Sequence, residues 1–273
     1  MVTKITRRLA RRAINLQEHL KWRYGKDSHE SVCFYTFHKC ASSLFSGYVL
    51  KNIEGLRHVD YADQIYSGKK LDDLNFEKTG FIYGPIRLSA DPQSLVFKKL
   101  VEPASHSDFI RDRIAIFFVR DPRDILVSSY YSFGFTHGLS PIDEIREMQE
   151  KARSEIQSKT LDEYVLEAAG GILSNFETVA MLSKVCNRSV VLRYEDMLSD
   201  WDRFAQDLTK YVSIKQPVLT QIYEQSRPRD EEDVTSHRRS GKARGFEKKL
   251  ERATIDSINV LFEDVLKRFR YDV

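Results

Sequence analysis

Lys39 is the first residue whose surroundings could do chemistry. It lies in His38-Lys39-Cys40-Ala41-Ser42-Ser43, directly after the apolar run Val32–Phe37 and before a stretch of helical character. A loop that leaves a buried strand and opens a helix is where open α/β sheets hold ligands. The first N–H groups of the helix and its dipole favour an anion there. Ser42 and Ser43 add hydroxyl donors and Lys39 adds a point charge. An ordinary loop with serine N-caps would read the same way. It is not the G-x-x-x-x-G-K-[ST] phosphate loop, because no glycine precedes Lys39 and no serine directly follows it.

A second junction follows the apolar run Ile114–Val119, which ends in Arg120-Asp121-Pro122-Arg123-Asp124. Asp121 is a natural N-cap and Pro122 a natural first helical residue. Arg120 then projects from the strand end, where its guanidinium fork suits a phosphate. Ser128 lies about two helical turns beyond Asp121, on the same face. The alternative is a structural ion pair between Arg120 and Asp121 or Asp124. Taken together, the two junctions suit an elongated ligand with anionic groups at separate places. A nucleotide phosphorylated at both its 5′ and 3′ ends has that shape.

These loops need a sheet to position them. Val32–Phe37, Gly80–Tyr83, Ile114–Val119 and Val190–Leu192 read as short buried strands. Helical patterns fill 43–53, Pro122–Phe133, Pro141–Lys151, Leu161–Val185, Asp202–Tyr211 and one long terminal helix, Phe246–Phe269. Apolar strands alternating with helices predict a single α/β domain over 30–273, with a central parallel sheet covered on both faces. Residues 1–24 form a separate amphipathic, basic segment, with Ile5, Leu9, Ala13, Leu16 and Leu20 on one helical stripe. That helix would dock on the domain, adsorb to an anionic membrane surface or act as a cleaved organelle-targeting segment.

Composition narrows the function classes. Among 273 residues, 43 basic and 40 acidic side chains leave a net charge of +3, which gives no global case for nucleic acid. The charge is uneven: residues 1–24 carry a net +6, and Arg238, Arg239, Lys242, Arg244, Lys248 and Lys249 form a second basic cluster. Such local charge suits a small polyanion. Cys33, Cys40 and Cys186 are too few and too scattered for a disulfide framework or a cysteine zinc site. No apolar run approaches the roughly 20 residues of a membrane span, so a cytoplasmic protein is expected, with peripheral membrane contact through the first segment.

Four motifs, in order, carry a resemblance. HKCASSL at 38–44 resembles the 5′-phosphosulfate loop of the sulfotransferases that use 3′-phosphoadenylyl sulfate (PAPS). FFVRDPRDILVSSYYSF at 117–133 is similar to that family's 3′-phosphate motif. Val191–Met197 and Arg239-Ser240-Gly241-Lys242 resemble its later strand and its C-terminal loop. The resemblance implies a P-loop-like sulfotransferase fold with a parallel sheet of about five strands. It implies that Lys39, Cys40, Ala41, Ser42, Ser43 and Leu44 surround the 5′-phosphosulfate, with Lys39 catalytic. It places Arg120 and Ser128 on the 3′-phosphate, Tyr194 near adenine, and Arg239, Ser240 and Gly241 in a covering flap. Ala41 stands where the family has glycine, so a left-handed backbone there would be strained. Leu44 replaces a tryptophan, Arg244 a glycine, and Tyr83–Arg87 lacks the family's catalytic histidine.

The reaction implied is sulfuryl transfer from PAPS to a hydroxyl acceptor, with a carbohydrate among the choices. No metal is expected, since Lys39 can neutralise the leaving phosphate. A base must take the acceptor's proton. Asp63 and Asp60 are the candidates, with His58, His137 and His38 nearby in sequence. Arg87, Arg123 and Arg146 could meet an anionic acceptor or form salt bridges. The rival functions are a nucleotide-dependent kinase, which would need magnesium, and a non-catalytic nucleotide-binding protein.

Overall fold

The computed structural model describes residues 29–60, 77–88, 108–140, 143–228 and 241–272. The basic segment 1–24, Asp63, Arg239 and Ser240 lie outside the described residues.

Five strands form one parallel sheet: β1 (Val32–Thr36), β2 (Arg57–Val59), β3 (Phe81–Arg87), β4 (Ile114–Val119) and β5 (Arg188–Arg193). Their order across the sheet is β2-β3-β1-β4-β5. The expected single α/β domain with a central parallel sheet is therefore what the chain forms. From β1 the connections run one way to β3 and β2 and the other way to β4 and β5. That reversal opens a crevice beyond the carboxyl ends of β1 and β4.

After β1, a helical segment α1 covers 42–52, as one α turn (Ser42–Leu44), a π turn (Phe45–Val49) and a 3-10 turn (Leu50–Asn52). A short helix α2 (Asp108–Arg111) precedes β4, and α3 (Pro122–Tyr131) follows it and runs into a π turn, Ser132–Thr136. Then come α4 (Asp143–Gln157), α5 (Leu161–Val185), α6 (Tyr194–Ser199), α7 (Trp201–Thr209) and α8 (Gln216–Ser226). A 3-10 turn (Gly245–Lys248) leads to α9 (Arg252–Leu261) and α10 (Glu263–Phe269).

The three middle strands, β3, β1 and β4, are buried on both faces because helices cover both. Phe34 of β1 and Phe118 of β4 point to one face, where Phe45 of α1 lies 4.6 and 4.5 Å from them and Phe204 of α7 lies 6.0 Å from Phe118. Their neighbours Tyr35 and Phe117 stack on each other at 5.2 Å on the opposite face. There α5 lies against β4 and β5. Each such ring, fully buried, contributes about 1.5–3 kcal/mol. By length and composition, α5, at 25 residues, could cross a membrane. It instead turns Val165, Ala169, Phe176, Val179 and Leu182 into this core.

Several boundaries differ from the sequence reading. β2 was not among the expected strands, and His58 lies within it. α8 and α6 carry no strong apolar period and were missed. The terminal helix is two helices, broken at Phe262, whose ring is fully buried. β3 runs on to Arg87 and bulges against β1 between Cys33 and Tyr35. Gly84 makes that bulge possible: its φ is +141°, and a Cβ there would sit 2.5 Å from the Phe34 carbonyl oxygen.

Candidate active site

The β1 loop turns sharply. Lys39 and Ala41 both adopt left-handed backbone, with φ of 67° and 49°. Neither is glycine, and each such residue costs about 1–2 kcal/mol. The strain expected at Ala41 is therefore present, and Lys39 shares it. The turn closes when Leu44 N and Phe45 N donate to Ala41 O at 2.9 and 3.2 Å. Ser42 is half-buried and Ser43 exposed at the mouth of the crevice, and Leu44 packs on the core edge. Cys40 points inward, fully buried, and desolvation pushes its thiol up to about 12. Lys39 Nζ donates to Ser132 Oγ at 2.7 Å, across to the π turn after α3. Nothing in the spacing of the sequence announces Ser132.

Arg120 emerges from β4 beside this loop. Its Nη1 donates to Lys39 O at 3.1 Å and its Nη2 to Lys242 O at 3.2 Å. It also lies 3.6 Å from Asp124 Oδ2 and 4.6 Å above the Tyr194 ring. The ion-pair reading of Arg120 is met through Asp124. The same side chain ties the β1 loop to the C-terminal loop. Its Nε is buried and has no hydrogen-bond partner among the described residues. Ser128 sits half-buried on α3, two turns beyond the Asp121 cap.

The C-terminal loop is held by side chains far away in sequence. Tyr194 Oη donates to Gly241 O at 2.5 Å. Asp124 accepts Arg244 N at 2.8 Å and Phe246 N at 3.1 Å. Burial raises the Asp124 carboxyl, against the opposing pull of Arg120 and those two N–H groups. Phe246 lies under Arg123, whose guanidinium is 4.3 Å from the ring. Arg123 is 2% exposed and fills its donors with Asp121, Asn259 Oδ1 and Asp272 O. It is structural, as is Arg146, which pairs with Asp143. Glu195 Oε1 accepts Asp121 N at 3.0 Å, and burial lifts its carboxyl to about 7.

Asp124→Ala tests the importance of this clasp. It strands two backbone N–H groups and should cost about 3 kcal/mol of stability. Amide exchange at Arg244 and Phe246 should quicken well beyond the global change, measured beside chemical denaturation. Exchange that stays slow would mean other contacts hold the loop.

The other side of the crevice lies at the ends of β3 and β2. Asp60 is buried, with Oδ1 3.9 Å from Arg87 Nη1. His58 Nε2 lies 2.6 Å from Gly84 O. A carbonyl can only accept, so that nitrogen carries the proton and cannot serve as a base. The His38 ring packs edge-on to Phe133 at 5.7 Å, and Phe133 to His137 at 5.4 Å. Desolvation holds His38 down to about 3, helped by the charges of Arg87, His137 and Lys39, although part of the residue reaches the surface. Among the described residues no group of three or more His, Cys, Asp or Glu is placed to hold a metal.

No protein-family model matches the chain, and no curated protein sequence matches it. Among solved structures it is similar to a mouse sulfotransferase, SULT7A1, described as complexed with PAP. The TM-score is 0.52 at 13% identity, covering 88% of this chain and 86% of that one. The likeness is one of fold over nearly the whole domain.

Proposed function

We propose that this protein is a sulfotransferase that takes its sulfuryl group from PAPS and passes it to a hydroxyl acceptor. The observation that carries this reading is the joining of three loops at the sheet's reversal point. Arg120 reaches both Lys39 O and Lys242 O there, over Tyr194. That arrangement offers cations and N–H groups at two places on one crevice, which suits a nucleotide with phosphate at both ends. The resemblance of the motifs at 38–44 and 117–133 supports a 5′ end at Lys39 and a 3′ end at Arg120 and Ser128. The solved structure of similar fold is described as holding PAP, which supports the same nucleotide here.

When bound, PAPS supplies an activated sulfuryl group on its 5′-phosphate. The acceptor oxygen forms the new S–O bond as the bond to the 5′-phosphate breaks, and the acceptor's proton passes to a base. Lys39 stabilises the charge that gathers on the departing phosphate. Lys39 Nζ rests on Ser132 Oγ, a hydroxyl it can leave at little cost. Tyr194 and Arg120 hold the far end still, and such orientation lowers the barrier for an in-line displacement. Asp60 is the base we favour, with Asp63 as the second choice. Asp60 stands at the end of β2, beside Arg87.

The test is transfer of labelled sulfate from PAPS to a panel of hydroxyl acceptors, with and without a chelator. Transfer that persists in chelator supports the reading. Turnover of ATP that the chelator abolishes would instead establish a kinase, and tight nucleotide binding without transfer would establish a binding protein.

A further inference from the structure

Arg87 is the last residue of β3 and stands in register with Thr36, the last residue of β1. Leu88 N donates to Thr36 O at 2.9 Å, which fixes the two strand ends side by side. His38 and Lys39 follow within three residues of Thr36. Arg87, His38, Lys39 and His137 therefore share one side of the crevice. Among the described residues Asp60 is the carboxylate paired with Arg87, and its 3.9 Å separation from Arg87 Nη1 is too long for a hydrogen bond. The Arg87 side chain is only 16% exposed. A guanidinium so far removed from water, and so loosely paired among the described residues, gains much from a closer anion.

The donor nucleotide does not account for this charge. Arg120, Tyr194 and Gly241 gather over β4 and β5, while β3 and β2 lie on the other side of β1. We propose that the acceptor is an acid: a hydroxyl compound whose carboxylate or sulfate group is bound by Arg87. The inference rests on the sulfotransferase reading for the word acceptor, but the anion site itself does not. Arg87 then selects and orients the molecule, with its hydroxyl directed towards the Lys39 loop.

Matched ligands that differ only in the acid test it: 4-hydroxybenzoate against 4-hydroxybenzyl alcohol, and 4-nitrophenyl glucuronide against 4-nitrophenyl glucoside. Calorimetric titration of the full chain, with and without adenosine 3′,5′-bisphosphate, reads their affinities. The acid of each pair should bind about tenfold tighter or more, as expected for a charge-assisted contact. Arg87→Gln should erase the gap, and Arg87→Lys should keep part of it. Binding of adenosine 3′,5′-bisphosphate to the variant reports whether the fold survives. Should Arg87→Gln not fold, Asp60→Asn carries the test, because losing the competing carboxylate should tighten the acids alone. Equal affinity within the pairs, no binding of either acid, or a gap that survives Arg87→Gln overturns the proposal. If the chain ignores the nucleotide and transfers no sulfate but prefers the acids through Arg87, the sulfotransferase reading fails and the anion site stands.

Discussion

Lys39→Ala should lower kcat about a hundredfold or more while weakening ground-state binding of PAPS far less, by analogy with deleting one charge-stabilising donor. The reason is where negative charge grows. A contact made equally in ground and transition states raises KM when removed, whereas one that strengthens at the transition state lowers kcat. In the unliganded chain Lys39 Nζ donates to Ser132 Oγ, and the charge it would meet on the nucleotide is greatest once the S–O bond is breaking. The backbone also makes the variant clean. Lys39 has a φ of 67°, and alanine at that position bears the same left-handed strain, so the loop has no new reason to refold. Lys39→Arg should recover only part of the rate, because a planar fork does not replace a compact ammonium. Single-turnover transfer of labelled sulfate measures kcat directly. Normal turnover by Lys39→Ala, or a loss confined to KM, would remove Lys39 from the mechanism.

The elements that frame Lys39 were legible because they are apolar and local. Val32–Thr36 and Ile114–Val119 are continuous buried runs, and Leu161–Val185 is read to the residue. β2 escaped because it is three residues long with His58 at its centre, so no period can show. The terminal helix was read as unbroken because the apolar period continues through Phe262, while the backbone there leaves the helical range. The two loops of the candidate site were legible in the sequence, and the contacts that join them were not. Asp124 meets Arg244 and Phe246 across about 120 residues of chain, and Arg120 meets Lys242 across 122. Sequence spacing predicts neighbours three or four apart on a helix, and says nothing about two loops that the sheet order brings together. That is why Arg120 looked like a choice between an ion pair and a phosphate ligand. The folded chain gives it an ion pair and two carbonyls together.

Adenosine 3′,5′-bisphosphate should raise the melting temperature clearly more than AMP at the same concentration. Both offer a 5′-phosphate to the Lys39 loop, and only the first offers a 3′-phosphate to Arg120 and Ser128. A tenfold gap in affinity corresponds to about 1.4 kcal/mol. Arg120→Ala should remove most of the difference between the two ligands. That variant also loses the bonds to Lys39 O and Lys242 O, so the unliganded protein should melt lower and its absolute shifts are not comparable with the parent's. The difference between ligands within one variant cancels that change, and it is the quantity to read. Ser128→Ala supplies a milder version, because Ser128 contributes a hydroxyl and holds no loop. It should shrink the difference without lowering the starting melting temperature. In the transfer assay Arg120→Ala should raise KM for PAPS more than it lowers kcat, the reverse of Lys39→Ala, because a contact at the 3′ end is made before and during the chemical step alike. Equal shifts by the two nucleotides on the parent protein would place the 3′-phosphate elsewhere and leave Arg120 as a clasp between two loops.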